Sequence, residues 1–484
     1  KYVYDKKIDP QVPEKLTCLC SNNAKTSQNY SGAKSEDSSK TELKNIIGPK
    51  ILVDRRPSKR PISKAPQSEI DSWFLKSKIK IGPLESDQRN KITRLLFTYK
   101  DLNSTELSEL PPTDLYIHRV RLREGTKPWN RVKQRRWPPG KEFWLRRIIN
   151  DGLKCGMYER TMEANGELSD WNAQANLIDK SDNPGEWDEP RLTFNYQNVV
   201  EDVPGCFVEL SSTTHDYMGH PSHRFFHKLD LKHGYWAISI HPDDRKYFAF
   251  SIAGIGQLQP TRMPQGSITS MFSFTELIYI VLGTIPVTET FEGWESLLAA
   301  NTPNSLPKAS FYVDDIFSGF EDFDQGYDIL ESQLLPRLVW AKLKLSFKKL
   351  ELFVTQTVVL GVLHKAGGIL TTKPERCERI RNWPVPKNTT DVRKFLGAVG
   401  FTRRYVKNFA EIRKPLSRLT GNVDFTWESK EQISFQILKE KCAEAVEMHG
   451  WNYLHPVKMY TDASLYGGGC VITQERKDSK GILT

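Results

Sequence analysis

The stretch Phe311-Tyr312-Val313-Asp314-Asp315-Ile316-Phe317 decides how this chain is read, because two adjacent carboxylates interrupt an apolar run. Strand-forming residues on both sides of a two-residue break predict a tight hairpin. Two unpaired charges among apolar neighbours are unfavourable, and side by side they repel each other. A solvent-exposed turn resolves the conflict; so does a divalent cation that neutralises both. From spacing alone the exposed turn is the better reading. A third carboxylate, Asp230, ends an equally apolar run, Phe225-Phe226-His227-Lys228-Leu229. Three carboxylates at two strand ends suit two Mg²⁺ ions roughly 3.5–4 Å apart, the arrangement used for in-line displacement at phosphorus.

The rest of the composition is compatible with that chemistry. At 484 residues the chain suits three or four folded units, and 11% aromatic residues supply large side chains for their cores. It begins at Lys1 and stops at Thr484 inside an apparent domain, so it reads as a piece of something longer. No run of 18 apolar residues is present and no apolar leader opens the chain, so no membrane span and no secretion are expected. The seven cysteines are scattered, with no C-x-x-C pair. Reduced, intracellular thiols are the expectation. The formal net charge is +10. Residues 121–147 carry ten Lys/Arg against two Glu, interleaved with Trp129, Trp137, Phe143 and Trp144; residues 371–450 carry sixteen against ten acids. Either stretch is read equally well as a solvated helix face or as a surface for a polyanion.

Local patterns give a coarse map. Residues 21–40 are polar and low in periodicity, which predicts disorder. Ile92, Leu95, Leu96 and Phe97 predict a short helix from Ser86 to Tyr99. Pro138-Pro139 opens another over Phe143–Ile149, with Gly152 as its stop. Short apolar runs around Ser181-Asp182-Asn183-Pro184-Gly185 predict a β-hairpin between Asn165 and Phe194. Trp236, Ile238 and Ile240 alternate as in a half-buried strand, and Ser270–Leu282 suits a buried helix. Further on, Thr390 is placed to cap a helix and Ser429-x-x-Gln432 to form a capping box. Residues 457–473 predict two strands joined at Tyr466-Gly467-Gly468-Gly469.

The wording around the carboxylates carries a resemblance. Tyr312-Val313-Asp314-Asp315 resembles the Y-x-D-D box of reverse transcriptases. Leu229-Asp230-Leu231-Lys232-His233-Gly234-Tyr235 resembles the metal-binding strand of LTR retrotransposons, and Met263-Pro264-Gln265-Gly266-Ser267 their L-P-Q-G box. The order agrees, and Asp230 and Asp314 are a family-like 84 positions apart. Arg381-Asn382-Trp383-Pro384, Arg393-Lys394-Phe395-Leu396-Gly397, Arg403-Arg404-Tyr405 and Lys414-Pro415-Leu416 follow in the order of gypsy-type elements. The resemblance covers residues 86–484 and implies an RNA-directed DNA polymerase, a nucleotidyltransferase cut from a retrotransposon polyprotein.

It also implies roles. Asp230, Asp314 and Asp315 would be the catalytic aspartates and hold two Mg²⁺, with Mn²⁺ as the alternative. Tyr235 would sit under the incoming sugar and exclude a 2′-hydroxyl. Gln265, Gly266, Lys180 and Arg191 would bind the dNTP, Arg191 as a bidentate grip. Lys348 or Lys349 would protonate the leaving pyrophosphate. Leu360 and Gly361, in Val359-Leu360-Gly361-Val362, resemble the F-L-G-H turn that grips the primer. Tyr460-Thr461-Asp462-Ala463-Ser464 resembles the first strand of a retroelement RNase H, with Asp462 as its first metal ligand. Three positions depart from the family: Asn195 and Gln197 replace an Asp and an Arg, and Met271 replaces a Pro at the start of a helix.

The expected fold is thus α+β, a right-hand polymerase followed by a truncated RNase-H-like α/β stub. Residues 1–85 are expected to be largely disordered or linker. An N-terminal lead-in and fingers follow over 86–225, a palm over 226–366, a thumb and connection over 367–455, and the stub over 456–484. The expected partners are an RNA or DNA template-primer and dNTPs. The rival reading is a catalytically inactive retroelement remnant that only binds nucleic acid.

Overall fold

Phe225–Asp230 is apolar enough to be covered on both faces, and it becomes the middle strand of a five-stranded sheet. The computed structural model describes residues 57–474, apart from 105, 132, 182–183, 200, 202–209, 268, 284–308, 404–405, 407, 422, 445–447, 451–455 and 465–466. The sheet is made from β1 (Lys80–Ile81), β2 (Phe225–Asp230), β3 (Ser310–Tyr312), β4 (Asp315–Phe320) and β5 (Glu351–Val354), in the order β1-β5-β2-β4-β3. All neighbours are antiparallel except β1 and β5. Phe226, Leu229, Ile316 and Phe317 are fully buried at its centre. His227 is buried there too, held between the rings of Phe320 and Phe353 with Nε2 on the carbonyl of Gly326. Burial pushes its pKa down to about 3, so it is a neutral core histidine.

Residues 57–85 were expected to be linker, and the structure gives part of them regular form. Helix α1 (Gln67–Ser77) is followed by β1, and residues 59–65 are strapped across α2 (Ser86–Thr98). Arg60 pairs with Asp101, and Arg94 donates to the carbonyls of Ser63 and Ala65. The sequence hides this because only Ile70 of α1 is fully buried and β1 is two residues long, so neither period is visible. Gly82 ends β1 where an added Cβ would lie 1.9 Å from the carbonyl oxygen of Phe353.

Helix α3 (Pro139–Lys154) starts at the expected proline but runs past Gly152. That glycine is there for packing: a Cβ would meet the Tyr158 ring at 2.4 Å. The expected hairpin is the pair Gln174–Ile178 and Arg191–Asn195, with residues 182–183 of its turn outside the described residues. It packs on the strand Phe250–Ile252 through Phe194 and Phe250, 4.2 Å apart. The expected strand at Trp236–Ile240 is instead a 3₁₀ turn, Gly234–Ala237, and the two-residue strand Ser239–Ile240. His233, at a left-handed φ of 52°, turns the chain before any alternation takes hold.

Helix α4 (Ser270–Leu282) has the bounds read from the sequence and buries Phe274, Leu277, Ile278 and Val281, one face of a helix. Met271, where a proline was expected, is half exposed in its first turn. Beyond the sheet, α5 (Pro374–Arg381), α6 (Thr389–Gly400), α7 (Phe409–Arg418) and α8 (Ser429–Ala443) enclose a second core of Ile380, Val392, Phe395, Leu416, Phe435 and Leu438. Two caps differ from expectation. Asn388, not Thr390, caps α6 by accepting from the Asp391 N–H at 2.9 Å. The box of α8 is Glu428 with Glu431, not Ser429 with Gln432. Adjacent polar residues compete at both ends, and only backbone geometry selects among them. The final hairpin, Val457–Ser464 with Gly467–Gln474, forms its own two-stranded sheet.

Candidate active site

The antiparallel register of β2 and β4 sets Asp315 directly opposite Asp230, and the β3–β4 turn carries Asp314 beside them. The turn is tight because Tyr312 pairs with Asp315, leaving Val313 and Asp314 as its two central residues. Val313 takes φ of 52°, a costly conformation for a β-branched residue that the flanking strands impose. The backbone is locked from outside: the Leu231 N–H donates to the carbonyl of Asp314 at 2.7 Å, and the Ser346 N–H to that of Asp230 at 2.9 Å.

Two lysines face the three carboxylates. Lys349 Nζ lies 3.0 and 2.9 Å from the two oxygens of Asp230, and Lys228 Nζ lies 3.8 Å from Asp315 Oδ1. Lys228 also donates to the carbonyl of Val358, at 3.4 Å. Asp314 has no such partner. Its Oδ1 is buried without a hydrogen bond, and its pKa is pushed up to about 6 by burial first, then by the charges of Asp230 and Asp315. Burial also raises Asp315, with Lys228 opposing. Three anions against two ammonium groups leave one negative charge in a partly dry cleft.

The all-oxygen donors and the bare Asp314 Oδ1 fit a hard divalent cation rather than zinc. Among the described residues, no three His, Cys, Asp or Glu side chains are drawn together tightly enough to enclose an ion. Asp230 has both oxygens engaged by Lys349, whereas Asp314 keeps a buried oxygen with no hydrogen bond.

The other sequence candidates distribute unevenly. Tyr235 is brought to the site: its ring stacks obliquely on Phe274 at 5.3 Å, and its phenol is pushed up to about 12 by burial and by Asp314. Gly234 lets Asp314 approach, since a Cβ there would lie 2.4 Å from Asp314 Oδ1. Gln265 and Gly266 are exposed on the loop before α4, with Gly266 at φ of 99°. Lys180 pairs with Glu189 across the hairpin mouth at 3.0 Å, and its charge reaches His233, next to the aspartates' strand. Arg191 opens the hairpin's second strand opposite Ile178, and no contact ties it to the aspartates. Leu360 and Gly361, at φ of 47° and 85°, form the two-residue turn between Gln356–Val359 and Val362–Lys365. Asp462 pairs with Gly469 in the separate final hairpin, and its side chain lies outside the described residues. Arg404 and Tyr405 lie outside them as well. Asn195 accepts from the Gln197 N–H at 3.1 Å, so these two residues, which stand where the resemblance has an Asp and an Arg, form a local turn. Sequence reading missed Lys228 as a partner of Asp315; its place in the run that ends at Asp230, two residues before that carboxylate, was the available signal.

Known proteins agree with this architecture. Residues 186–397 match the family model of the reverse transcriptase (RNA-dependent DNA polymerase). The chain is 27% identical over 369 residues to the Gag-Pol polyprotein of woolly monkey sarcoma virus, covering 73% of this chain and 20% of that protein. It is 29% identical over 287 residues to the Gag-Pol polyprotein of koala retrovirus, covering 57% and 16%. The chain thus spans about a quarter or less of these curated relatives. A foamy viral protease-reverse transcriptase solved with double-stranded DNA superposes with a TM-score of 0.67 at 20% identity, over 90% of this chain and 70% of that one. A foamy viral protease-reverse transcriptase solved with an RNA/DNA hybrid gives 0.66 at 21%, over 88% and 52%. The fold is that of a right-hand polymerase, and the domain it carries is a retrovirus-like reverse-transcriptase domain.

Proposed function

We propose that the chain is an RNA-directed DNA polymerase of a gypsy-type LTR element, extending a primer on RNA or DNA with dNTPs. The observation that carries this reading is the pairing of Asp230 opposite Asp315 with Asp314 on the turn between β3 and β4. Asp230, Asp314 and Asp315 would hold two divalent ions, Mg²⁺ by their hard oxygen donors. Such ions, when bound, neutralise the phosphates and activate the primer hydroxyl. Lys349 and Lys228 pair with Asp230 and Asp315 and offset the repulsion among the carboxylates while no ion is bound. Tyr235, backed by Phe274, presents its ring beside Asp314 where a sugar would rest. Lys180, Arg191, Gln265 and Gly266 would bind the triphosphate and sugar, and Leu360-Gly361 the primer. The gypsy assignment rests on the wording from Arg381 to Leu416. The fingers, palm and thumb bounds, the role of Asp462 in an RNase-H-like domain and an intracellular setting belong to the same proposal. Among the described residues, no helix is long and apolar enough to cross a membrane.

Primer extension by the purified chain tests it, on RNA and DNA templates with dNTPs and Mg²⁺. Extension on RNA is expected, and Asp314→Asn/Asp315→Asn should lose it. Salt-sensitive template binding without extension would leave the nucleic-acid-binding remnant in its place. Tyr235→Val is expected to raise ribonucleotide use relative to dNTP by about a hundredfold, as an opened pocket stops rejecting a hydroxyl. Competition between CTP and dCTP in the same assay measures this, and an unchanged ratio would remove Tyr235 from that role.

A further inference from the structure

Glu201 is a carboxylate with 1% of its surface exposed. Its Oε1 accepts from the Ser267 hydroxyl at 2.6 Å, and its Oε2 accepts from the Thr269 hydroxyl. Thr269 is the N-cap of the 13-residue helix α4 and makes no side-chain cap bond to that helix. The carboxylate therefore lies at the positive end of α4, where a negative charge is favoured. His118 stands on its other side, with Nε2 3.9 Å from Oε2 and Nδ1 on the Ser273 hydroxyl at 2.9 Å. Glu201 itself is fixed by a backbone bridge to Leu122.

The partners of Glu201 lie just after the segment proposed above to meet the nucleotide. Ser267 and Thr269 follow Gln265 and Gly266 directly, and the other side of that loop is tied by the Met263 N–H to the carbonyl of Ile238 at 2.8 Å. The Ser270 hydroxyl closes it from within on the carbonyl of Pro264, at 2.9 Å. One turn further, Phe274 supports Tyr235 and lies against Gly234 beside Asp314.

We infer that Glu201 is a positioning residue: it clamps the Met263–Ser270 loop and the start of α4, and so sets where Gln265 and Gly266 meet an incoming nucleotide. The part concerning the nucleotide rests on the polymerase reading above; the clamp does not. Burial alone would drive a carboxylate toward its neutral form, and the hydroxyls of Ser267 and Thr269 oppose that. Buried polar groups so engaged specify one arrangement, and removing one partner leaves the others unpaired.

Two readouts on the full chain separate clamp from catalysis. Amide hydrogen exchange over residues 263–270 should accelerate about tenfold in Glu201→Ala, the scale of one lost charged hydrogen bond, while β2 exchanges as before. The dNTP KM should rise by a similar factor of about ten, with kcat at saturating dNTP within about twofold. Glu201→Gln keeps an acceptor for one hydroxyl and should lie between wild type and Ala in both. If Glu201→Ala does not fold, Ser267→Ala removes one bond from the loop side and should accelerate exchange there by about threefold. Exchange over 263–270 that stays at the wild-type rate in these variants overturns the clamp, and so does acceleration shared equally by β2. A wild-type chain that extends no primer sinks the polymerase reading, and the exchange result still decides the clamp.

Discussion

Asp314→Asn should make the protein more stable above pH 6 while lowering primer extension about a thousandfold or more. The activity loss follows from altering a carboxylate whose buried Oδ1 makes no hydrogen bond within the protein, where metal-assisted charge stabilisation is worth several kcal/mol and each 1.36 kcal/mol is tenfold. The stability gain follows from the sign of the perturbation. The folded-state pKa of about 6 lies above the ordinary 3.8, so ionising Asp314 costs the folded chain. That cost is absent below pH 3.8, grows as pH rises, and is complete above about 6, reaching at most about 3 kcal/mol. Thermal melts of the metal-free proteins at pH 4 and pH 8 check this: the variant should melt several degrees higher at pH 8 and together with wild type at pH 4. Added Mg²⁺ should raise the wild-type midpoint at pH 8 and leave the variant nearly unmoved. Equal melts at pH 8 would mean that the site holds its charges without strain.

Gly234→Ala should cost about a hundredfold in kcat with a smaller loss of stability, about 1–3 kcal/mol. The new methyl would sit 2.4 Å from Asp314 Oδ1 and 2.4 Å from Phe274 Cζ, and neither distance is tolerable. Phe274 is fully buried and already in contact with Tyr235, so the ring has little room, and the carboxylate must give. An ångström of displacement at a metal-binding oxygen is enough for the stated loss. Steady-state extension and urea denaturation measure the two effects. Adding Phe274→Leu should restore stability more than activity; a full return of activity would show that the ring, not the carboxylate, had moved.

The grouping of the three aspartates was legible because it depends on residues that violate their surroundings. Asp230 and Asp314-Asp315 are charges set in apolar strands, and any fold must bring such groups to an edge or to each other. The bounds of α4 were legible for the opposite reason: nine of its thirteen residues are apolar, and Phe274, Leu277, Ile278 and Val281 fall at helical spacing. Illegible were the contacts whose partners are far apart and whose local pattern is weak. Lys228 meeting Asp315 depends on strand order, and Glu201 meeting Ser267 and Thr269 depends on where a loop returns. The strand reading of Trp236–Ile240 failed because a period of two over five residues cannot compete with a left-handed residue at His233. At the starts of α6 and α8, several capping residues stand in a row, and a shift of one or two places leaves the pattern unchanged.

The parallel pairing of β1 with β5 joins Lys80 to Glu351, which are 271 positions apart. A ribosome adding roughly 5–20 residues per second delivers the second strand about 15–55 seconds after the first. For all that time the Lys80–Ile81 segment has no native neighbour, so the outer border of the sheet can only be sealed late in synthesis. Lys78 and Lys80 stand on either side of Ile79 during that wait, and charged neighbours of this kind discourage a nascent strand from pairing with another chain.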